Sequence, residues 1–175
     1  MHDQTRRLME SFSKTISEKA TVLDVGSCDV NGTFKEYFPN NPYIGIDIVE
    51  GPNVDIVVPP YDYPFPDNHF DVVISGSCLE HVRHPWRWMK EVARVLKPGG
   101  KIFILVPYNH PYHEHPVDCW RVFPDGMRAL FEEAGLTEIA CEMHDGSDMG
   151  VHPILGRIEC FADDQACDTL GIATK

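Results

Sequence analysis

Several features that mark specialised classes of protein are missing from this sequence. No apolar run approaches the roughly 20 residues that a membrane-spanning helix requires, and a run such as Ile102–Val106 is far shorter. Residues 1–7 are polar and lack the apolar stretch of a signal peptide. We therefore predict a cytoplasmic protein that has no membrane as a partner.

Paired cysteines, repeats and low-complexity tracts are also missing. The six cysteines include no C-x-x-C pair, so we interpret them as reduced thiols rather than as a disulfide framework. Hydrophobic residues make up 43% and charged residues 24% of the 175, which is close to the average of ordered globular proteins. We predict a single domain that covers residues 1–175.

Basic residues are scarce. The chain has 15 lysines and arginines against 27 acids, which gives a net charge of -12. Proteins that bind nucleic acids depend on an attraction between basic side chains and phosphates that this balance does not supply. We therefore expect no nucleic-acid partner.

Short apolar runs alternate with helical patterns along the chain. Leu8, Phe12 and Ile16 recur every four residues and predict a first helix that ends before Thr21. Strands are predicted over residues 22–25, 43–48, 54–58, 70–75 and 101–106, with weaker candidates over 136–143 and 157–162. Further helices are predicted around residues 34–38, 85–96 and 124–134. This alternation predicts an α/β fold with a parallel sheet covered on both faces, in which ligands bind at the carboxyl ends of the strands.

A glycine-bearing loop follows the first predicted strand. It runs over residues 24–32, and Asp47 ends the second strand about 20 residues later, the spacing at which an acid reaches the hydroxyls of a ribose. This pair of features indicates a cofactor that contains a nucleoside.

The charge of this loop distinguishes between two such cofactors. In the G-x-G-x-x-G pattern of dinucleotide-binding proteins the three positions are Gly26, Cys28 and Asn31, so only one glycine of three is present. Asp24 and Asp29 would repel a diphosphate but attract the sulfonium and ammonium groups of S-adenosylmethionine. The loop therefore favours S-adenosylmethionine over NAD, and a nicotinamide-dependent oxidoreductase is the alternative from another enzyme class.

Five motifs resemble, in their order, those of a known family. They are V-L-D-V-G-S at residues 22–27, G-I-D-I at 45–48, Y-P-F-P-D-N-H-F-D-V-V at 63–73, L-E-H-V at 79–82 and L-K-P-G-G at 96–100. They are similar to motifs of the class I S-adenosylmethionine-dependent methyltransferases, and the third resembles a signature of the methyltransferase type 11 family. The resemblance implies a Rossmann-like, mostly parallel seven-stranded sheet with helices on both faces, and S-adenosylmethionine as the cofactor.

Carried over position by position, the resemblance also implies a set of cofactor-binding residues. They are Asp24, Gly26, Ser27 and Cys28 in the first loop, Asp47 and Ile48 at the ribose and the adenine, and Ser75, Gly76 and Ser77 after the fourth strand. Cys28 stands where the family has a second glycine, which would narrow the loop. Pro59 or Pro60 stands where many members have an acid near the adenine.

A histidine-rich segment, residues 107–121, follows the fifth predicted strand. Its sequence H-P-V-D-C-W-R resembles a segment of methyltransferases near sugar and polysaccharide biosynthesis. We predict that this segment covers the acceptor site and that His113 or His115 is the general base, oriented by Asp118. His81, just after the fourth strand, is the third candidate. For each of these residues a structural role in fixing the loop or turn is an equal alternative.

The histidines of this segment also raise the question of a metal. His110, His113 and His115 could converge on Zn²⁺ with Cys119, but three ligands crowded into one short loop rarely all face inward. We therefore expect no metal site.

The sequence predicts a methyltransferase that acts on a small molecule, such as a sugar or natural-product hydroxyl or an amine. The alternative is a non-catalytic cofactor-binding module. A partner subunit would then complete its acceptor site. A homodimer is the other assembly that we consider.

Overall fold

The computed structural model describes residues 3–30, 32–144, 150–152, 154–158 and 167–175. Its α-helices are α1 (Asp3–Ser13), α2 (Pro85–Val95) and α3 (Pro124–Glu133). Its strands are β1 (Val22–Val25), β2 (Tyr43–Asp47), β3 (Ile56–Val57), β4 (Phe70–Gly76), β5 (Leu96–Pro107), β6 (Thr137–His144), β7 (Gly150–His152), β8 (Gly156–Ile158) and β9 (Asp168–Thr174). Short 3-10 helices over Lys35–Tyr37 and Leu79–His81 follow β1 and β4. None of the described helices is both long and apolar enough to cross a membrane.

Seven strands form one sheet in the order β3-β2-β1-β4-β5-β9-β6. The pairs among β1 to β5 are parallel, whereas β9 runs antiparallel to both β5 and β6. The predicted mostly parallel seven-stranded sheet is therefore confirmed. β7 and β8 form a separate antiparallel pair.

The sheet is covered on both faces, as predicted, because neighbouring residues of its central strands point in opposite directions. Leu23 of β1 packs in the same core as Trp88 of α2 and Phe131 of α3. Val22 of the same strand belongs to a second core, which contains Phe12 of α1. The two layers of helices fix the strand ends that carry the site.

Proline and glycine set several helix ends. Pro85 and Pro124 stand in the first turns of α2 and α3, where the missing backbone N–H has no helical partner to lose. Gly135 follows α3 with a φ of 73°, the left-handed conformation that commonly ends a helix. α2 passes directly into β5. Phe70 of β4 pairs with Leu96 of β5, but Val72 pairs with Lys101, and this shift in register accommodates the K-P-G-G sequence of residues 97–100.

Four predicted elements are wrong in extent or place. The first helix ends at Ser13, before Ile16, and the strand predicted over residues 54–58 is only Ile56–Val57. The helix predicted around residues 34–38 is only the 3-10 helix Lys35–Tyr37, which Pro39 follows closely. The strand predicted over residues 157–162 does not join the main sheet, because β8 pairs with β7; residues 159–162 lie outside the described residues. β9, for which the sequence predicted no strand, occupies that place in the sheet instead.

Candidate cofactor and acceptor site

The carboxyl ends of β1, β2, β4 and β5 border one cavity of about 620 Å³. Every predicted site residue except Ser75 lines it: Asp24, Gly26, Ser27, Cys28, Asp47, Ile48, Gly76, Ser77, His81, His113 and His115. We call the first eight of these, with Cys78, the cofactor half. The three histidines, together with Glu80 and His110, form the acceptor half.

Gly26 shapes the turn after β1. Its φ of 81° lies in the left-handed region that favours glycine. A Cβ added to Gly26 would lie 2.5 Å from the Cβ of Cys78, which follows β4. Glycine therefore allows the ends of β1 and β4 to approach each other closely beside the cavity.

Asp47 is held at the end of β2 by backbone amides. Its Oδ2 accepts a hydrogen bond from the amide of Cys28 at 3.1 Å, and its Oδ1 accepts bonds from the amides of Ile48 at 2.7 Å and Val49 at 3.3 Å. A carboxylate oxygen can accept more than one hydrogen bond, so these contacts orient the group without exhausting it. The arrangement fits an acid that binds a ribose.

Asp24 is buried beneath the first loop, with only 3% of its surface exposed. The hydroxyl of Tyr43 donates a hydrogen bond to its Oδ2 at 2.5 Å. Burial raises the pKa of Asp24 to about 7; the bond from Tyr43 opposes this shift and the charge of Asp47 adds to it. Because burial penalises the negative charge, a cation bound nearby would stabilise the ionised form.

Three other predicted cofactor residues are engaged within the protein. The hydroxyl of Ser75 donates to the carbonyl of Val25 at 2.7 Å, so this side chain ties β4 to β1 and does not line the cavity. The hydroxyl of Ser27 donates to a carbonyl in the loop after β2. The thiol of Cys28 lies against Gly51, and burial raises its pKa.

The cofactor half suits S-adenosylmethionine in charge and in shape. The carboxyl groups that line it, on Asp24 and Asp47, are positioned to attract a cationic ligand. The ring of Phe34 lies against Gly76, where an added Cβ would be 2.5 Å from the ring, so the end of β4 meets an apolar wall. Ile48 is 45% exposed beside Asp47 and offers an apolar surface to an adenine.

His81 ends the 3-10 helix after β4. Its Nδ1 lies 2.5 Å from the carbonyl oxygen of Val117, which can only accept, so Nδ1 is the donor and Nε2 carries the lone pair. Burial lowers the pKa of His81, although the bond to Val117 opposes this. The imidazole is therefore neutral near neutral pH and able to accept a proton.

His113 reaches the same place from the segment after β5. Its Nδ1 lies 3.1 Å from the carbonyl oxygen of Pro111 and 3.4 Å from Oδ2 of Asp118, both of which accept. Nδ1 is therefore the donor, and in the neutral tautomer of this ring Nε2 carries the lone pair. The ring centres of His113 and His81 are 4.9 Å apart, so two of the three predicted histidines lie together.

His115 and His110 are more exposed than these two histidines. The ring centre of His115 lies 6.2 Å from that of His81. In the part of the chain that the structure describes, three potential metal ligands have atoms within 4.8 Å of one another, and they are Glu80, His81 and His113. The loop histidines considered as a set in the sequence do not form that group.

The histidine-rich segment is anchored by an ion pair. Arg121 donates to both carboxylate oxygens of Asp118, at 2.5 and 2.7 Å, and to the carbonyls of His110 and Pro111. These bonds hold the pKa of Asp118 well below its usual range. Asp118 also accepts the amide of His113 at 2.7 Å. It therefore positions His113 through the backbone as well as through the ring.

Glu80 is the site residue that sequence reasoning missed. It is fully buried, and neither of its carboxylate oxygens has a hydrogen-bond partner among the described residues. Its Oε1 lies 3.7 Å from Nε2 of His81 and 3.9 Å from Nε2 of His113. Burial raises the pKa of Glu80 to about 8, and the charge of Asp168 adds to the shift. The one feature of the sequence that could have identified Glu80 is its position next to His81 in the L-E-H-V motif.

The Y-P-F-P-D motif is held in place by α2. Arg94 donates to the carbonyls of Tyr63 and Phe65, at 3.0 and 2.8 Å. It also bonds Asp67, while Glu91 accepts the amide of Tyr63 at 2.6 Å. Tyr63 lines the cavity, so this part of the family signature builds one of its walls.

The sequence of this chain is similar to those of known methyltransferases. A family model described as a methyltransferase domain matches residues 23–104. The ubiquinone/menaquinone biosynthesis C-methyltransferase of Shewanella oneidensis is 32% identical over 93 residues, which cover 49% of this chain and 37% of that relative. The protein of the same name from Chromobacterium violaceum is 52% identical over 42 residues, which cover 24% of this chain and 17% of that relative. The chain thus spans less than two fifths of the length of the curated relatives it matches.

Solved structures share the fold over nearly the whole chain. The 1,6-didemethyltoxoflavin-N1-methyltransferase of Burkholderia thailandensis, solved with 1,6-didemethyltoxoflavin and S-adenosylhomocysteine bound, has a TM-score of 0.72 at 17% identity and covers 99% of this chain and 79% of its own. A Haloferax volcanii protein solved in complex with the Trm112 methyltransferase activator has a TM-score of 0.67 at 20% identity and covers 97% of this chain and 88% of its own. The motifs, the family match over residues 23–104 and the fold agree, so this chain is similar in sequence and in fold to S-adenosylmethionine-dependent methyltransferases.

Proposed function

We propose that the chain transfers a methyl group from S-adenosylmethionine to a hydroxyl or an amine of a small molecule. The observation that supports this is one cavity lined by both the cofactor half and the acceptor half. Its volume of about 620 Å³ falls within the range of small-molecule sites. The cofactor would supply a cationic methyl donor, so the protein has to align the acceptor and, for a hydroxyl, take up its proton.

In this proposal the residues of the cofactor half divide the binding of the cofactor. Asp47 accepts hydrogen bonds from the ribose hydroxyls, because its carboxylate is already oriented by three amides. Asp24 stabilises the cationic methionine part, and Ile48 contacts the adenine. Ser75 supports the site from behind, through its bond to Val25.

His81 is the favoured general base. Its Nδ1 is committed to the carbonyl of Val117, which leaves the lone pair on Nε2 for the proton of the acceptor. His113 is the second candidate, because its Nδ1 is likewise occupied by Pro111 and its ring is adjacent. His115 ranks third, because it is exposed and farther from the buried part of the cavity.

The charge around the cavity favours a neutral or cationic acceptor. Its lining includes the acids Glu80, Glu114 and Asp168, whereas Arg83 is the only arginine or lysine among the described lining residues. A phosphorylated or carboxylated acceptor would meet like charges. A sugar hydroxyl, a natural-product hydroxyl or an amine fits better.

Calorimetry with S-adenosylmethionine, S-adenosylhomocysteine and NAD tests the cofactor first. We expect both sulfur compounds to bind at a single site, and NAD to bind far more weakly because the loop carries acids where a diphosphate would lie. Failure of the purified protein to bind either sulfur compound would contradict the proposal. Tighter binding of NAD than of S-adenosylhomocysteine would favour the oxidoreductase instead.

Release of S-adenosylhomocysteine in the presence of neutral hydroxyl compounds, amines and matched anionic compounds tests the transfer. For a hydroxyl acceptor, His81→Gln should lower kcat by about 10²-fold or more and leave the affinity for S-adenosylhomocysteine unchanged. His84→Gln is the matched control. It also removes an imidazole, but His84 is exposed at the start of α2 and does not line the cavity. Equal losses in both variants would exclude His81 as the base.

A protein that binds S-adenosylhomocysteine but transfers methyl groups only after a second protein is added would favour the partner-completed module. Transfer that appears only above a threshold protein concentration would favour a homodimer. Activity of the isolated monomer would exclude both.

A further inference from the structure

We propose that Glu80, His81 and His113 form a binding site for a divalent transition-metal ion, Zn²⁺ in the first instance, in the acceptor half of the cavity. The three side chains come from two segments, the 3-10 helix after β4 and the loop after β5. This set differs from the loop histidines for which the sequence favoured no metal. It does not depend on methyl transfer.

The distances between the donor atoms fit a metal site without an ion. Oε1 of Glu80 lies 3.7 Å from Nε2 of His81 and 3.9 Å from Nε2 of His113, and the three donor atoms all lie within 4.8 Å of one another. Ligands about 2.0–2.1 Å from a tetrahedral Zn²⁺ are separated from each other by about 3.3 Å. Small rotations of the two imidazoles about their side-chain bonds would close the difference.

Both imidazoles are oriented for coordination. Each has its Nδ1 beside a backbone carbonyl, that of Val117 for His81 and that of Pro111 for His113. A carbonyl can only accept, so each Nδ1 is protonated, and in the neutral tautomer that binds a metal each Nε2 would present its lone pair towards Glu80. This pattern of a metal-facing nitrogen and a carbonyl-bound nitrogen is typical of histidines that bind metals.

The carboxylate of Glu80 supplies independent support. It is fully buried, and among the described residues neither oxygen has a hydrogen-bond partner. A buried carboxylate without partners is costly, and natural proteins rarely leave one without a reason such as an ion or a catalytic role. Oε1 faces the Nε2 atoms of the two imidazoles at 3.7 and 3.9 Å, which is too far for a hydrogen bond in either direction. A cation between the three groups satisfies all of them.

The donor set selects the class of metal. Two neutral imidazole nitrogens and one carboxylate suit Zn²⁺ and other borderline transition metals, whereas Mg²⁺ and Ca²⁺ prefer oxygen ligands throughout. Three protein ligands would leave a coordination position open towards the cavity. If the proposed function holds, an oxygen of the acceptor could occupy that position, where the ion would favour loss of its proton; the Nε2 lone pair of His81 would then bind the metal and would not act as the base.

Metal binding by the protein alone tests the proposal. The purified chain is freed of metal with a chelator, and Zn²⁺ alone is titrated in competition with a chromophoric chelator. We expect about one tight Zn²⁺ per chain, with affinity lowered by at least about 10-fold in Glu80→Gln and in His81→Gln. The control His84→Gln should bind Zn²⁺ as the wild type does, because His84 is exposed and belongs to no such group among the described residues.

Two further measurements separate loss of the site from loss of the fold. Circular dichroism and urea unfolding of the metal-free variants report folding, and Glu80→Gln should not unfold the chain because it keeps the size of a buried side chain that has no hydrogen-bond partner among the described residues. Co²⁺ alone should give visible absorption of a nitrogen and oxygen site in the wild type and in His84→Gln, and lose it in His113→Gln.

Weak binding by the wild type, or equal Zn²⁺ affinity in wild type, Glu80→Gln and His81→Gln, would overturn the proposal. The second result would place any bound Zn²⁺ at other histidines. These titrations contain no cofactor, so absence of Zn²⁺ binding would contradict the metal site and leave the methyltransferase proposal unaffected. A protein that binds Zn²⁺ but not S-adenosylhomocysteine would support the metal site and contradict the methyltransferase proposal.

Discussion

The cofactor half and the acceptor half line one cavity but are built in different ways. In the cofactor half, polar side chains are tied to the backbone: Asp47 accepts hydrogen bonds from three amides, and Ser27 donates one to a carbonyl. In the acceptor half, the oxygens of Glu80 have no hydrogen-bond partner among the described residues, and His81 keeps a lone pair on Nε2. The polar groups of one half are fixed by the fold, whereas the other half keeps reactive groups available.

The two halves also differ in what holds them. The cofactor half is formed by strand ends, so the sheet itself sets its geometry. The acceptor half depends on a loop whose position relies on the pair Asp118–Arg121. Changes to the sheet turn should therefore affect the cofactor, and changes to the loop anchor should affect transfer without affecting cofactor binding.

The largest effect is expected for Gly26→Ala. The new Cβ would combine a φ of 81° with an approach of 2.5 Å to the Cβ of Cys78. Strain and overpacking together should cost about 3 kcal/mol of unfolding free energy and weaken S-adenosylhomocysteine binding by about 100-fold. Urea unfolding and calorimetry measure the two losses.

Gly99→Ala is the matched control for this change. Gly99 has a φ of 76°, but no atom lies within 4 Å of the Cβ that would be added. It should show the strain alone, about 1 kcal/mol, with cofactor affinity unchanged. Similar losses in the two variants would mean that contact with Cys78 does not shape the cofactor half.

Arg121→Met should disturb the acceptor half alone. It would leave Asp118, whose side chain is only 1% exposed, without its ion partner, and would release the carbonyls of His110 and Pro111. We expect a loss of about 2–3 kcal/mol of unfolding free energy, because a buried charge is left unpaired. Methyl transfer should fall by at least about 10-fold, while cofactor affinity stays within about threefold.

Arg128→Met provides the comparison for that variant. Arg128 pairs with Asp125, whose side chain is 97% exposed, and with Glu138. Ion pairs of this kind contribute less than about 1 kcal/mol, and transfer should be unaffected. A fall in cofactor affinity in Arg121→Met as large as the fall in transfer would contradict the separation of the two halves.

Asp24→Asn should change how stability depends on pH. The pKa of Asp24 is raised to about 7 in the folded chain. The stability that Asp24 contributes is therefore fully present below its lower pKa in the unfolded chain, and it is lost as the pH rises from there through about 7. Relative to Asp24→Asn, the wild type should lose about 2 kcal/mol between about pH 5.5 and about pH 8. The charged and titratable groups that act on Asp24 are Tyr43 and Asp47, and both remain in the variant. Parallel curves of unfolding free energy against pH would contradict the burial of this carboxyl.

Much of the cofactor half could be predicted because its determinants are local in sequence. Asp24 and Gly26 lie at the end of one apolar run, and Asp47 lies at the end of the next. Parallel pairing of those two runs brings the three residues to one edge. Ser75 is the instructive exception, because the sequence gives its position at a strand end but not the direction of its hydroxyl.

The acceptor half could be predicted only in part because it depends on packing between distant segments. Glu80 stands in a recognised motif, but its burial and its two imidazole neighbours result from the way residues 110–121 fold over it. β9 escaped prediction for a related reason. Gly171 weakens its strand pattern, yet glycine is needed there because an added Cβ would lie 2.7 Å from Cγ of Met127 in α3.

Ser75→Ala has the smallest expected effect and separates support of the cofactor half from contact with the cofactor. The hydroxyl of Ser75 donates to the carbonyl of Val25 at 2.7 Å, and the residue is 1% exposed. Loss of this bond should cost about 1 kcal/mol of unfolding free energy and change cofactor affinity by less than about threefold. Calorimetric measurement of S-adenosylhomocysteine affinity in Ser75→Ala and in Gly26→Ala distinguishes the two roles. If Ser75→Ala weakened S-adenosylhomocysteine binding as strongly as Gly26→Ala, the hydroxyl would have to reach the cofactor, and the direct role that the family resemblance implies for Ser75 would replace the supporting one.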